Sequence, residues 1–169
     1  MITVDTMDGE VTIPLGVITP ETIDAYRHGQ CWALSRAISE HTGWPMVWIY
    51  ALSRVEGKGN STPWTKWRVK RWTKRWDGRS ITEMTQYFSE EGFLHGLVKT
   101  PDGKFLDIGE VAHSTRWKEM YADFGPCALI EIPYRTMDEM FFDPVKPNME
   151  AARGFVSVVL NRAGYASYV

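Results

Sequence analysis

Apolar and polar positions along this chain fall into short segments whose periods differ from one to the next. The opening VTIPLGVI (residues 11–18) reads as a short strand or an extended arm. Thr19-Pro20-Glu21 is a helix start, with threonine as N-cap and proline at the first helical position. His28-Gly29 interrupts that helix, and a second begins at about Cys31. Its apolar positions Trp32, Leu34, Ala37 and Ile38, and its stop at Gly43, fit an amphipathic helix with a glycine cap. MVWIYAL (46–52) has the length and apolar character of a buried strand, and 54–63 is a Gly-, Ser- and Asn-bearing loop. Ser80 caps a helix that Gly92 ends. Phe93 to Lys99 and Lys104 to Ile108 read as strands joined through Pro101-Asp102-Gly103. Ser114 caps a short helix through Tyr121. CALIEI (127–132) is a further strand, Thr136 to Phe142 a helical turn, and Met149 to Ala163 a closing helix. Helices first, then strands paired through a tight turn, predict an α+β fold.

Composition narrows the class. The chain has 169 residues, 44% hydrophobic and 24% charged, which fits one domain able to bury a core without a metal or disulfide. Cys31 and Cys127 form no C-x-x-C pair, so neither a zinc knuckle nor a thioredoxin-like site is expected. The N-terminus lacks a basic stretch followed by an apolar one, and no run approaches the ~20 apolar residues of a membrane span. The expectation is a cytoplasmic protein with no cofactor, no metal and no membrane partner; the oligomeric state stays open.

Three residues could do chemistry together. Cys31 sits at a predicted helix N-terminus, where unsatisfied N–H groups and the helix dipole favour a thiolate and could stabilise an oxyanion beside it. The bland reading is a small apolar core residue. His95 and Asp107 flank the Pro-Asp-Gly turn. A type I turn followed by glycine in the left-handed region would pair Thr100 with Lys104, so that Leu97 faces Asp107 and His95 faces Gly109. His95 and Asp107 are then diagonal neighbours on one face; a two-residue turn would put them on opposite faces. A histidine oriented by a carboxylate and set near a cysteine is the general form of an activated thiol nucleophile. A strand histidine and a solvated aspartate are the bland alternatives.

Cys31-Trp32-Ala33-Leu34-Ser35 resembles the nucleophile segment of papain-like cysteine proteases, where a Cys-Trp-Ala-Phe-Ser run opens the central helix. The order Cys, then His, then Asp on the next strand is similar to the transglutaminase-like branch of that superfamily. The stretch from His95 to Asp107 resembles uncharacterised bacterial and phage proteins of papain-like appearance. The resemblance covers about 28–46 and 93–117. It implies a papain-like fold, with the nucleophile helix packed on a small antiparallel sheet that carries His and Asp. It also implies Cys31 as nucleophile, His95 as base and Asp107 as orienter. The oxyanion glutamine of that family has no counterpart at its expected place, where Ala25 stands. Gln30, Trp32 and His28, which flank the nucleophile, are the candidate oxyanion or site-lining residues. The activity implied is peptidase, amidase or glutamine deamidase, on a protein or peptide substrate.

One segment stands apart. Between Trp64 and Arg79 seven cations meet only Asp77, a net +6 against -8 for the rest of the chain. Trp64, Trp67, Trp72 and Trp76 are interleaved with them. We read 1–169 as a single domain with a basic Trp-rich insertion at about 54–79. Trp64, Trp67, Arg68, Arg71, Trp72 and Arg75 are its candidate partner-binding residues. They would stack bases and pair phosphates, or grip an acidic protein. Tryptophans turned inward under a solvated basic face are the plain alternative. The competing function is therefore a non-catalytic binding protein on the same scaffold.

Overall fold

Why the hairpin closes where it does is visible in its first hydrogen bonds. In the computed structural model, which describes residues 1–51, 93–132 and 145–169, Thr100 N–H donates to Lys104 O and Gly103 N–H to Thr100 O, at 2.8 and 3.0 Å. Gly103 takes φ +80°, the left-handed conformation that glycine adopts without steric cost. Val98 pairs with Leu106 and Lys99 with Phe105, the register expected from the turn.

This hairpin is part of a mixed α+β chain. The elements run β1 (Ile2–Thr6), β2 (Gly9–Ile13), α1 (Pro20–Arg27), α2 (Cys31–Thr42), β3 (Met46–Ala51) and β4 (Phe93–Lys99). They continue with β5 (Phe105–Leu106), β6 (Val111–Ala112), α3 (Ser114–Met120), β7 (Cys127–Ile132) and α4 (Met149–Arg162). β1 and β2 form their own antiparallel hairpin; the other five make one antiparallel sheet in the order β6-β5-β4-β3-β7.

Alternation along the strands assigns the two layers. Val98 and Leu106 pack in the cluster built from α1, α2, α4 and the N-terminal hairpin, around Tyr26, Ile38 and Phe155. Their neighbours Leu97 and Phe105 point the other way, with Val47 and Ile49, onto Trp117 of α3. β3, between β4 and β7, is covered on both faces: all six of its residues are buried.

Local signals explain most boundaries. Thr19 caps α1 by accepting from Thr22 N–H, with Pro20 at the first position. α2 ends at Gly43, φ +79°. Asn148 caps α4 by accepting from Ala151 N–H. Three expectations need correction. The N-terminal segment is a two-strand hairpin, with Thr6 paired to Gly9 across Met7-Asp8. Ser114 is the first residue of α3 and His113 stands at its N-cap. The strand expected over 104–108 is only Phe105–Leu106, so Asp107 lies just beyond it. The reason is that Asp107 turns the chain: Glu110 O accepts from Asp107 N–H, while the amides of Gly109 and Glu110 bond the Asp107 carboxylate. The loop at 54–63, the helix after Ser80 and the turn at 136–142 lie outside the described residues. Among those described, no helix is long and apolar enough to cross a membrane.

Candidate functional site

Cys31 opens α2, and its place is fixed by the residues just before it. Gly29 takes φ +151° and packs where a Cβ would come within 3.0 Å of Thr6 Cα. Gln30 is fully buried. Its Nε2 donates to Asp5 O and Lys146 O, both at 2.8 Å, and its Oε1 accepts from Asn148 N–H at 2.9 Å. Two chain segments, β1 and the residues just before α4, are thereby tied to the start of α2. The expectation that Gln30 supplies an oxyanion donor is corrected: every polar group of its amide is spent on backbone. The helix start has no side-chain cap, and an N–H in the first turn of a helix has no intrahelical acceptor.

Gly96 brings the strand to the helix. A Cβ there would meet Ser35 Oγ at 3.1 Å, Trp32 Cα at 3.2 Å and the Cys31 carbonyl carbon at 3.4 Å. Only a residue without a side chain lets β4 come this close to the first turn of α2, and His95 is its neighbour in sequence. A register shift between Ile49 and Tyr50 on β3 marks an irregularity in β4 at the same level.

His95 is completely buried. Its Nε2 lies 3.0 Å from Asp107 Oδ2. A carboxylate only accepts, so Nε2 carries the hydrogen. Nδ1 has no hydrogen-bond partner among the described residues. Cys31 is the neighbour left to it. Burial disfavours the charged ring, but the hydrogen bond to Asp107 and the interaction with Cys31 outweigh it and raise the His95 pKa to about 9. Nδ1 and the Cys31 sulfur form no hydrogen bond in this structure.

Asp107 is saturated. Oδ2 accepts from His95 Nε2 and, at 2.8 Å, from Arg27 Nε. Oδ1 accepts from Arg27 Nη2 at 3.2 Å and from the amides of Gly109 and Glu110 at 2.8 and 2.9 Å. Burial alone would lift its pKa. The hydrogen bonds and charges of His95 and Arg27 overcome this and hold the carboxyl well below the usual range. Arg27 was not singled out from the sequence. It ends α1, eighty residues from its partner, and no local signal joins the two.

Two aromatic rings pack against His95. The Tyr121 ring stacks near that of His95, at a centroid distance of 5.8 Å and an angle of 21°, and Trp117 tilts against it at 5.9 Å. Burial, with the nearby Cys31 and Asp107 charges, raises the Tyr121 pKa and keeps its phenol neutral. Cys31, His95 and Asp107 share one crevice with Tyr26, Leu34, Ile38 and Ile108, and it leaves no room for a water molecule. His28 and Trp32 are not among the residues lining it. His28 faces outward, bonded to Asp24. Its ring belongs to the end of α1, so the site-lining role expected of it is corrected. Trp32 is buried and meets Gly96 through its backbone.

Among the described residues no cluster of His, Cys, Asp or Glu could hold a metal. Cys127 is a free cysteine on β7 whose thiol donates to Gly125 O. The partner-binding candidates Trp64, Trp67, Arg68, Arg71, Trp72 and Arg75 lie outside the described residues. Comparison with protein-family models, curated proteins and solved structures finds no match for this chain.

Proposed function

We propose that this chain is a thiol-dependent amide-bond enzyme (peptidase, amidase or glutamine deamidase) on a papain-like scaffold. The observation that carries the reading is a buried imidazole whose Nε2 is fixed by Asp107 and whose Nδ1 is left to Cys31 at a helix N-terminus. Cys31 attacks the amide carbonyl, and the oxygen gains negative charge beside the Cys31 N–H. His95, holding the thiol proton on Nδ1, gives it to the departing amine. Water then attacks the thioester, with His95 as base, and frees Cys31. Asp107 stays ionised and holds the ring in the tautomer that leaves Nδ1 for the sulfur.

The test is the rate of Cys31 alkylation by iodoacetamide between about pH 4 and pH 10, in a Cys127→Ser background, with His95→Ala alongside. A rate plateau on the acid side of pH 8 that vanishes with His95→Ala is the expected result. Identical profiles in the two proteins would remove the proposal.

A crevice with no room for a water molecule favours one second reading, a resting triad in a binding protein that works through 64–79. Its mark is a polyanion affinity that falls steeply with salt and disappears when Arg68, Arg71 and Arg75 are neutralised.

A further inference from the structure

We propose that Arg27 is a positioning residue of the thiol site, holding the Asp107 carboxylate as a pure acceptor so that the His95 hydrogen stays on Nε2. The inference rests on the triad reading above and adds a fourth member to it.

The geometry is that of a fork. Arg27 Nε and Nη2 each meet one oxygen of Asp107, at 2.8 and 3.2 Å. Nη2 also reaches Glu110 Oε1 at 3.3 Å, and Glu110 Oε2 in turn meets Arg116 Nε at 3.4 Å. Charges therefore alternate along Arg116, Glu110, Arg27 and Asp107 up to His95. The loop is shaped around this side chain: a Cβ at Gly109 would come within 3.0 Å of Arg27 Nη2. A lysine, with a single point of charge, could not bond both oxygens in this way.

The chemical consequence lies in Oδ2, which His95 Nε2 and Arg27 Nε share. The amides of Gly109 and Glu110 already hold Oδ1. Arg27 Nε adds the donor on Oδ2 itself and makes Asp107 the weaker base, so the neutral ring keeps its hydrogen on Nε2 and exchanges protons with Cys31 through Nδ1 alone. A mere staple between α1 and the 107–110 loop would add stability without affecting the tautomer.

The experiment uses the full chain in the Cys127→Ser background, with Arg27→Gln, Arg27→Lys and His95→Ala. Nitrogen-15 NMR of the histidine side chains reads the His95 tautomer at high pH, and iodoacetamide reads Cys31. We expect a single Nε2–H tautomer in the parent, a mixed population in Arg27→Gln, and alkylation about tenfold slower, one pKa unit's worth of free energy. Arg27→Lys should restore part of both. If Arg27→Gln does not fold, Arg27→Lys carries the same readouts, and a mixed tautomer there is again the expected sign. A lower melting temperature with the parent's tautomer and alkylation profile would overturn the inference and leave the triad standing. Alkylation that ignores His95→Ala would remove the triad itself, and Arg27's role with it.

Discussion

Raising the pH through the titration of His95 should loosen the fold, and the site sets the amount. In the folded chain the ring titrates at about 9; in the unfolded chain it titrates near its ordinary ~6.5. A gap of about 2.5 units at about 1.4 kcal/mol each is on the order of 3 kcal/mol. The ring is fully buried, so solvent screening does not discount it. The sign follows from the direction of the shift. A group whose folded pKa is raised adds stability in full below its unfolded pKa and loses it as pH rises through the folded one. The loss should therefore run from about pH 6.5 to just above pH 9. Urea unfolding of the wild type and of His95→Gln, compared at each pH over that range, isolates the contribution. The difference between them should shrink by roughly 3 kcal/mol across the window. In Cys31→Ser the decline should be centred at lower pH, because the interaction with Cys31 is one of the causes that raise the His95 value. Parallel wild-type and His95→Gln curves would refute the coupling of the imidazole to Asp107 and Cys31.

Gln30→Ala strands three backbone groups now bonded at 2.8, 2.8 and 2.9 Å. At about 1 kcal/mol each the loss is about 3 kcal/mol, or roughly 6–12 °C in a thermal melt of a chain this long; no drop in melting temperature would contradict the tie. Asp107→Asn turns an amide against donors that now meet only acceptors. It should cost about 3–5 kcal/mol in urea unfolding near neutral pH, and a variant as stable as the wild type would show the carboxylate to be dispensable. Because the folded Asp107 pKa is lowered, its stabilisation is present above about pH 4 and is lost as pH falls toward the folded value. The Asp107→Asn deficit should therefore narrow in acid, and a deficit that does not change with pH would mean that charge is not its source. Gly96→Ala should push the first turn of α2 off β4, at about 1–3 kcal/mol, and slow Cys31 alkylation; an unchanged rate would mean that the close approach does not set the Cys31–His95 contact.

What the sequence made legible was local. Thr19-Pro20, Gly43 and Pro101-Asp102-Gly103 each fix a backbone event within a few residues, and the last also fixes parity. Parity put His95 and Asp107 on one face, and they meet at 3.0 Å. Asp8-Gly9 was an equally local signal for the N-terminal hairpin, hidden because the reading began at Val11. The misses of another kind come from distance along the chain. Arg27 meets Asp107 across 80 residues, and Gln30 reaches Lys146 across 116. Neither pairing leaves a periodic trace, because packing of α1, α2 and α4 decides it. Gln30 next to a cysteine looked like chemistry and is architecture, whereas Arg27 looked like an ordinary basic residue at a helix end.

Stability alone does not account for this cluster. Burying an aspartate and a histidine and tying them to an arginine incurs a desolvation penalty that well-packed apolar residues of similar volume would avoid. The sheet and helices around it already supply such packing, on both faces of β4 and β5. On the proposed thiol-enzyme reading these groups stand where a thiol can use them, and their burial then sets a second requirement. Cys31 is only 6% exposed and its crevice leaves no room for water, so access of a reagent should depend on movement around it, and Tyr121, which stacks on His95 from outside that lining, is the aromatic neighbour whose removal would ease it. The alkylation rate is then the product of an opening equilibrium and the reactivity of the opened thiol. The two factors separate by their pH response. Opening of apolar and aromatic walls should be nearly flat with pH, while thiol reactivity follows the charge state that His95 sets. Tyr121→Ala should therefore lift the whole alkylation profile without moving its shape, whereas His95→Ala should change the shape. A Tyr121→Ala profile that changes shape like that of His95→Ala would mean that the ring is part of the proton chemistry and not of the wall.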